Sequence, residues 1–312
     1  MNEMCNISRR VPWIAMALSF LAAGVGHLYC GRICKGLLLY CAWPIVFLLL
    51  FLSAWFRPST SVLVGLIILP IACVCVVYLY AALDALGSAR RTGSTYELKE
   101  YNRSWLYVLL VAIQLAVPLA MIVATREFVY EAFYLPERSM SPNFLAGDRI
   151  LVNKLRSRRV FPERGDVIVF RNPDPNPGAG QQYIKRVIAV AGDRVVIKGR
   201  DVEVNGKKLE RDVVPVESIG ANRPQIEGEV FFESQGGQRY QVMYGDDKSG
   251  SASEEEFKAV VPSRSVYVLG DNRNRSKDSR QFGLIHAGDI TGYVDYIYCP
   301  AEAWSRFGPT VE

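Results

Sequence analysis

The residues of this chain best suited to covalent chemistry are Ser139, in Arg138-Ser139-Met140-Ser141-Pro142, and Lys185, 46 residues further on in Tyr183-Ile184-Lys185-Arg186. A serine hydroxyl is a poor nucleophile at neutral pH, so an acyl-transfer role for Ser139 requires a base to take its proton. The chain has only two histidines, His27 and His286. His27 falls in an apolar run, and His286, in Leu284-Ile285-His286-Ala287-Gly288-Asp289, reads as a turn residue after a strand. A lysine can serve instead when its amine is neutral, which needs a pKa well below about 10.4, and burial against apolar surface lowers it by disfavouring the ammonium form. Lys185 has Ile184, Val187 and Ile188 around it. Taken alone, its block fits a solvent-facing lysine on a strand equally well, and Ser139 fits a turn serine ahead of proline.

The surrounding blocks separate these readings. Leu135-Pro136 leads through Ser139-Met140-Ser141-Pro142 to Gly147-Asp148, and Arg164-Gly165-Asp166-Val167-Ile168-Val169-Phe170 follows. Then come Tyr183-Ile184-Lys185-Arg186-Val187-Ile188 with Gly192-Asp193, and last Gly270-Asp271-Asn272-Arg273-Asn274-Arg275-Ser276-Lys277-Asp278-Ser279-Arg280. In this order and at these intervals the blocks resemble type I signal peptidase, the membrane-bound serine–lysine protease that removes signal peptides from exported preproteins. The match covers most of residues 130 to 298. It implies Ser139 as nucleophile, Lys185 as general base and Ser276 as a hydrogen-bond partner of the lysine amine. It also implies that the ionic pairs Asp271 with Arg186 and Asp278 with Arg280 hold the site together.

By the same resemblance, an extended substrate segment adds a strand beside the residues before Ser139 and Lys185, with Met140, Tyr183 and Ile184 as substrate contacts. Signal-peptide-bearing preproteins are the implied substrates, membrane lipid and the secretion translocase the implied partners, and no metal or cofactor is implied. One position departs from the pattern. Glu137 stands two before the nucleophile, where many bacterial members have a serine or threonine that helps form the oxyanion hole. A carboxylate there opposes a developing oxyanion, leaving the backbone N–H of Ser139 as donor. Arg138 likewise replaces a frequent glycine. Other readings are a serine–lysine processing protease with a few dedicated substrates, a self-cleaving repressor, and a catalytically silent membrane scaffold.

These residues need a frame, and composition divides the chain of 312 residues near Thr125. Before that point four apolar runs, about 11–30, 36–56, 62–83 and 105–124, each approach the ~20 residues that cross a bilayer as a helix. Residues 1–125 are thus expected to be a transmembrane anchor of four helices, the first two joined as a retained hairpin through the glycine-rich stretch Gly24 to Arg32. Six loop cations (Arg32, Lys35, Arg90, Arg91, Lys99, Arg103) against four (Arg9, Arg10, Arg57, Arg126) place the amino terminus and the carboxy-terminal domain outside a bacterial cytoplasmic membrane. The excess positive charge belongs to the anchor, which gives nucleic-acid binding little support. Arg156-Ser157-Arg158-Arg159 reads as a solvated loop or a headgroup contact. Residues 126–312 hold one cysteine, Cys299, so no internal disulfide can stabilise them.

Their short β-branched runs, among them Arg149 to Val152, Asp166 to Phe170, Tyr183 to Val190, Val266 to Leu269 and Gly292 to Tyr298, predict a mainly antiparallel β domain. Asn205-Gly206 predicts a hairpin turn. Pro173 to Gly180 and Gly245 to Glu256 read as loops.

Overall fold

Apolar runs without internal charge make the helices of the amino-terminal half, but composition does not fix their lengths. The computed structural model describes residues 7–53, 60–92, 96–173, 180–215, 226–245 and 257–310. The chain divides into two units, Met1–Thr125 and Arg126–Glu312. In the first, α1 (Pro12–Leu21) opens on a proline, whose missing N–H has no intrahelical partner at that position. Gly24, at φ 91°, then turns the chain into α2 (Val25–Tyr29). The two helices pack back to back at Gly26, where any Cβ would collide with Ala15 O and where the N–H donates to Ser19 Oγ at 3.1 Å.

Val11 N–H donates to the Tyr29 hydroxyl at 3.2 Å, which brings the start of α1 to the end of α2. The ten residues of α1 rise about 15 Å, half of a hydrocarbon core of about 30 Å. The crossing expected over residues 11–30 is therefore corrected to a short helical hairpin that returns to the end it left.

The hairpin is followed by α3 (Ile33–Ser53), α4 (Thr60–Thr92) and α5 (Ser104–Phe128). Among the described residues two stretches, Ile71–Thr92 and Ser104–Phe128, are long and apolar enough to cross a membrane, in place of the four expected. His27 of α2 is buried, and its Nε2 donates to Asp84 of α4 at 2.7 Å, while Lys35 of α3 donates to the same oxygen at 2.8 Å. One carboxylate thereby ties three helices.

The second unit is mainly antiparallel β. Its principal sheet runs in the spatial order Ile285–His286, Ser265–Leu269, Gln182–Ala189, Val167–Arg171, Ile290–Cys299, Arg149–Asn153, Tyr130–Tyr134. The strand Gln182–Ala189 is internal and buried from Ile184 onward, because its two faces pack on different clusters. Ile184 joins Met140, Phe144, Val167 and Val169, whereas Val187 joins Ile168, Phe170, Val268 and Tyr293. A four-stranded sheet (Phe257–Val260, Arg194–Lys198, Asp201–Val204, Lys207–Lys208) and a three-stranded one (Glu210–Val213, Glu229–Gln235, Gln238–Tyr244) complete it.

Asn205 and Gly206 turn with φ 55° and 75°, the left-handed pair of a type I′ hairpin. Gly236 and Gly237, at φ 59° and 81°, make a second such turn that the sequence reading did not single out. Arg156 is not solvated as expected: its Nη2 donates to Asp166 at 3.1 Å and its guanidinium stacks on Tyr293 at 4.2 Å. His286 accepts from Gly288 N–H at 3.1 Å, capping a turn. The expected loops Pro173 to Gly180 and Gly245 to Glu256 lie almost wholly outside the described residues.

Candidate active site

Ser139 sits in the irregular segment between the strands Tyr130–Tyr134 and Arg149–Asn153. That segment is closed on itself by Gly147 N–H to Leu135 O at 2.7 Å and Leu135 N–H to Asp148 O at 2.9 Å. The Asp148 carboxylate, fully buried, accepts from Leu145 N–H at 2.7 Å, from Ala301 N–H at 2.8 Å and from both Arg306 terminal nitrogens at 2.8 and 2.7 Å. Met140 and Phe144 anchor the segment in the core. Met140, the expected substrate contact, is 1% exposed and packs in the core next to Ser139.

Lys185 projects from the internal strand opposite Ile168, and its Nζ lies 2.9 Å from Ser139 Oγ. Ser139 is 6% exposed and Lys185 3%. Lys185 Nζ also donates to Ile184 O at 2.8 Å, which fixes the direction of the amine. Burial pushes the ammonium down to about 8, against the charges of Asp278, Glu137 and Asp271, which raise it. Desolvation wins because the amine has no carboxylate in contact with it among the described residues.

The flanking residues form two ionic clamps. Arg186 meets Asp271 side on, with Nε to Oδ1 at 2.8 Å and Nη2 to Oδ2 at 2.7 Å, and its Nη1 donates to Gly165 O at 2.9 Å. Asn143 Nδ2 donates to the same Asp271 at 2.6 Å, joining the Ser139 segment to the clamp. Arg280 grips Asp278 through Nε and Nη2, both at 2.8 Å, while Asp278 takes Gly270 N–H at 3.0 Å. Arg280 is held above the usual guanidinium range, chiefly by the hydrogen bond and charge of Asp278 acting against burial.

Ser276 is placed differently from expectation. Its buried Oγ has no hydrogen-bond partner among the described residues, and it packs on Gly270, where any Cβ would collide with it. The amine is instead directed by Ile184 O, because the strand carries that carbonyl next to it. The same absent Cβ of Gly270 would stand 2.6 Å from Ser139 O, so glycine is required for close approach of the two segments.

Asn272 is the contribution that residue types and spacing did not reveal. Its backbone N–H donates to Ser139 O at 3.1 Å and its Nδ2 to Arg138 O at 3.1 Å, fixing both carbonyls around Ser139. The Ser139 N–H itself donates to no acceptor among the described residues, which leaves it available to an oxyanion. Behind Asn272, buried Arg273 pairs with buried Glu233 and donates through Nε to Gly270 O at 3.2 Å. Glu233 stands in a hairpin that carried no site signal. Tyr183 packs against Phe170 and Phe282, while Glu137 and Arg138 are exposed, Arg138 pairing with Glu227 at 3.1 Å. Among the described residues no cluster of metal-binding side chains is present.

Comparison with known proteins bears on this arrangement. The model of the family described as signal peptidase, peptidase S26, matches residues 103–299. A signal peptidase I of Leptolyngbya laminosa is 32% identical over 201 residues, which are 63% of this chain and 81% of that protein. Signal peptidase I of Bacillus caldolyticus is 31% identical over 190 residues, 61% of this chain and 90% of the relative. A crystal structure of a signal peptidase I from Enterococcus faecalis V583 is similar at 25% identity over 43% of this chain and 97% of that one, with a TM-score of 0.26.

Proposed function

Because this chain belongs to the peptidase S26 family and is a serine endopeptidase of the signal peptidase I type, we propose that it cuts preproteins through an acyl-enzyme on Ser139 with Lys185 as general base. The observation that carries this is the 2.9 Å contact between a buried, pKa-depressed amine and a serine hydroxyl. In its neutral form the amine turns one N–H to Ile184 O and its lone pair to Ser139 Oγ. It takes the serine proton as Oγ attacks the scissile carbonyl, then delivers that proton to the leaving amine. The N–H of Ser139 receives the oxyanion. Arg186, Asp271, Asp278, Arg280 and Asn272 act by holding these groups in place, and Ser276 by filling the space under Gly270.

The segments beside Tyr183 and Ile184 and before Ser139 accept the extended cleavage region by main-chain pairing. The test is cleavage of a model preprotein by the full-length protein and its Ser139→Ala, Lys185→Ala and Lys185→Arg forms. All three variants are expected to fail, since arginine stays protonated and cannot act as base. Substantial turnover by any of them refutes the assignment.

The same reading places the protein in a bacterial cytoplasmic membrane, crossing it through α4 and α5 and also through α3, whose 21 residues rise about 31 Å and so match a hydrocarbon core of about 30 Å. The returning hairpin alters the charge argument. Arg9 and Arg10 now share an end with Arg32, Lys35, Arg90, Arg91, Lys99 and Arg103, so eight of the nine Lys and Arg before residue 125 lie at one end. That asymmetry puts the amino terminus inside, reversing the orientation argued from sequence for that end, and the peptidase unit outside. Reporters fused before Met1 and after Glu312 are expected to be active inside and outside respectively. Activity of both on one side would refute the three-crossing topology.

A further inference from the structure

The end of the helical unit that gathers these cations holds one whose bonding is incomplete. Arg10 is only 5% exposed, although arginine is rarely buried without a partner. Its guanidinium lies between two aromatic rings, 4.3 Å from the centroid of Tyr29 and 4.4 Å from that of Tyr96. Tyr29 closes the helical hairpin, and Tyr96 belongs to the short strand Tyr96–Glu97 that pairs with Ile7–Ser8. Both faces of the guanidinium are therefore covered. Along its edge, Nε and Nη2 are buried and have no hydrogen-bond partner among the described residues. These two nitrogens form the side-on fork that matches two oxygens of a phosphate or carboxylate.

The neighbouring polar groups leave this fork alone. Tyr96 donates to Asn102 Oδ1 at 3.0 Å, Asn102 Nδ2 donates to the Tyr107 hydroxyl at 2.6 Å and to Leu28 O at 3.3 Å, and Tyr101 donates to Gly31 O at 3.5 Å. Asp84 of α4, partly exposed, is already engaged by His27 and Lys35. The hydroxyl hydrogens of Tyr29 and Tyr107 are not used in the bonds that their oxygens accept from Val11 N–H and Asn102 Nδ2. The site thus has a bidentate donor, held between two rings, with hydroxyl donors close by. An anion is the complementary partner.

We propose that Arg10, clamped between Tyr29 and Tyr96, is a phosphate-binding site at the cation-rich end of the helical unit. The placement of that end at the cytoplasmic headgroup layer rests on the topology given under Proposed function, and the phosphate of an anionic phospholipid is the source found there. Free inorganic phosphate presents the same oxygens and is the other source. The fork is what binds; the rings prevent the guanidinium from turning away from its ligand, as they would not for a free surface arginine.

The experiment uses the full-length protein in phosphatidylcholine vesicles with and without phosphatidylglycerol, and separately in detergent with inorganic phosphate. Bound phosphatidylglycerol is quantified after extraction, and phosphate binding is measured directly. Arg10→Gln is expected to lower phosphatidylglycerol retention by about tenfold or more, the loss of one charge-assisted bidentate contact. Arg10→Lys, which keeps the charge but not the fork, is expected to lose most of the same retention, and Arg9→Gln to keep it. Binding of inorganic phosphate that also depends on Arg10 identifies the free ion as a source.

Equal retention and equal phosphate binding by wild type, Arg10→Gln and Arg10→Lys overturn the proposal. Preprotein cleavage in detergent is expected to be unchanged in either Arg10 variant. A failed lipid result with intact cleavage and reporter topology therefore removes this inference alone.

Discussion

Replacing Lys185 by methionine is expected to abolish cleavage and, at neutral pH, to stabilise the fold. Methionine matches the lysine stem in length and carries no amine into the core. The amine titrates near 8 in the folded protein. In the unfolded chain it titrates near 10.4, so holding it in the folded site costs about 3 kcal/mol at pH 7, at 1.36 kcal/mol per unit. Against this, the substitution loses the contacts to Ser139 Oγ and Ile184 O, roughly 1 kcal/mol each. The net gain expected at pH 7 is about 1 kcal/mol. The folded pKa is depressed, so between about 8 and 10.4 the unfolded wild type binds a proton that the folded form does not, and its stability rises with pH through that window.

Methionine does not titrate. The variant's advantage should therefore shrink from pH 8 upward and reverse by about pH 10.4, a change of roughly 3 kcal/mol in the difference between the two proteins. Unfolding of both full-length proteins in one detergent, at intervals from pH 7 to 10.5, measures it. A difference that stays constant with pH would show that the amine is not neutral in the site, and would remove the basis for Lys185 as general base.

Two further substitutions test the surroundings of the pair. Glu137 raises the Lys185 pKa by its charge, so Glu137→Gln is expected to move the acid limb of the kcat/KM profile to lower pH and to raise cleavage at pH 7; an unmoved limb would remove Glu137 from the electrostatics of the site. Gly270→Ala places a Cβ against Ser276 Oγ and Ser139 O, and a displacement near 1 Å costs about a hundredfold in rate. Its kcat is expected to fall with KM nearly unchanged, and full activity would mean that the Gly270 contact does not position Ser139.

The parts of the site legible in the sequence were those whose partners lie within the recognisable blocks. Ser139, Lys185, Arg186, Asp271, Asp278 and Arg280 could be named because the resemblance carries them, and the alternation of short β-branched runs announced the antiparallel sheet. What escaped was contributed by segments with no chemical signature of their own. Glu233 reaches Arg273 from a hairpin turned by Gly236-Gly237, a dipeptide whose meaning was readable, but nothing local says that the hairpin folds over the site. Arg306 finds Asp148 across 158 residues of chain. Asn272 acts through two donors aimed at main-chain carbonyls, which leave no trace in composition.

The first apolar run failed for another reason. Hydropathy counts residues, whereas a left-handed Gly24 divides them, and a run of bilayer length became two helices that turn back.

Such distribution follows from what a serine–lysine pair requires. A neutral lysine must be kept from water and from counter-charge, yet a carboxylate near enough to order the strand also draws the amine back toward its charged form. The structure meets both demands by giving each nearby carboxylate an arginine of its own. Asp271 is taken up by Arg186 and Asp278 by Arg280, so their pull on Lys185 is partly offset while their hydrogen bonds fix the strand and the Gly270 turn. Beyond them Glu233 neutralises Arg273 and also accepts from Arg211 at 2.7 Å, and the ring of Tyr240 lies 4.1 Å from the Arg186 guanidinium.

Breaking any of these buried pairs from one side leaves a stranded charge, typically a loss of about 3–5 kcal/mol, whereas the amine they surround is itself held at a cost. Glu137 is the exception. It is an exposed carboxylate two residues before the nucleophile whose charge acts on Lys185, and Arg138, the adjacent arginine, is drawn instead to Glu227. The pH at which this enzyme turns on is therefore set most adjustably at Glu137, the one surrounding carboxylate that can be changed without unfolding the frame.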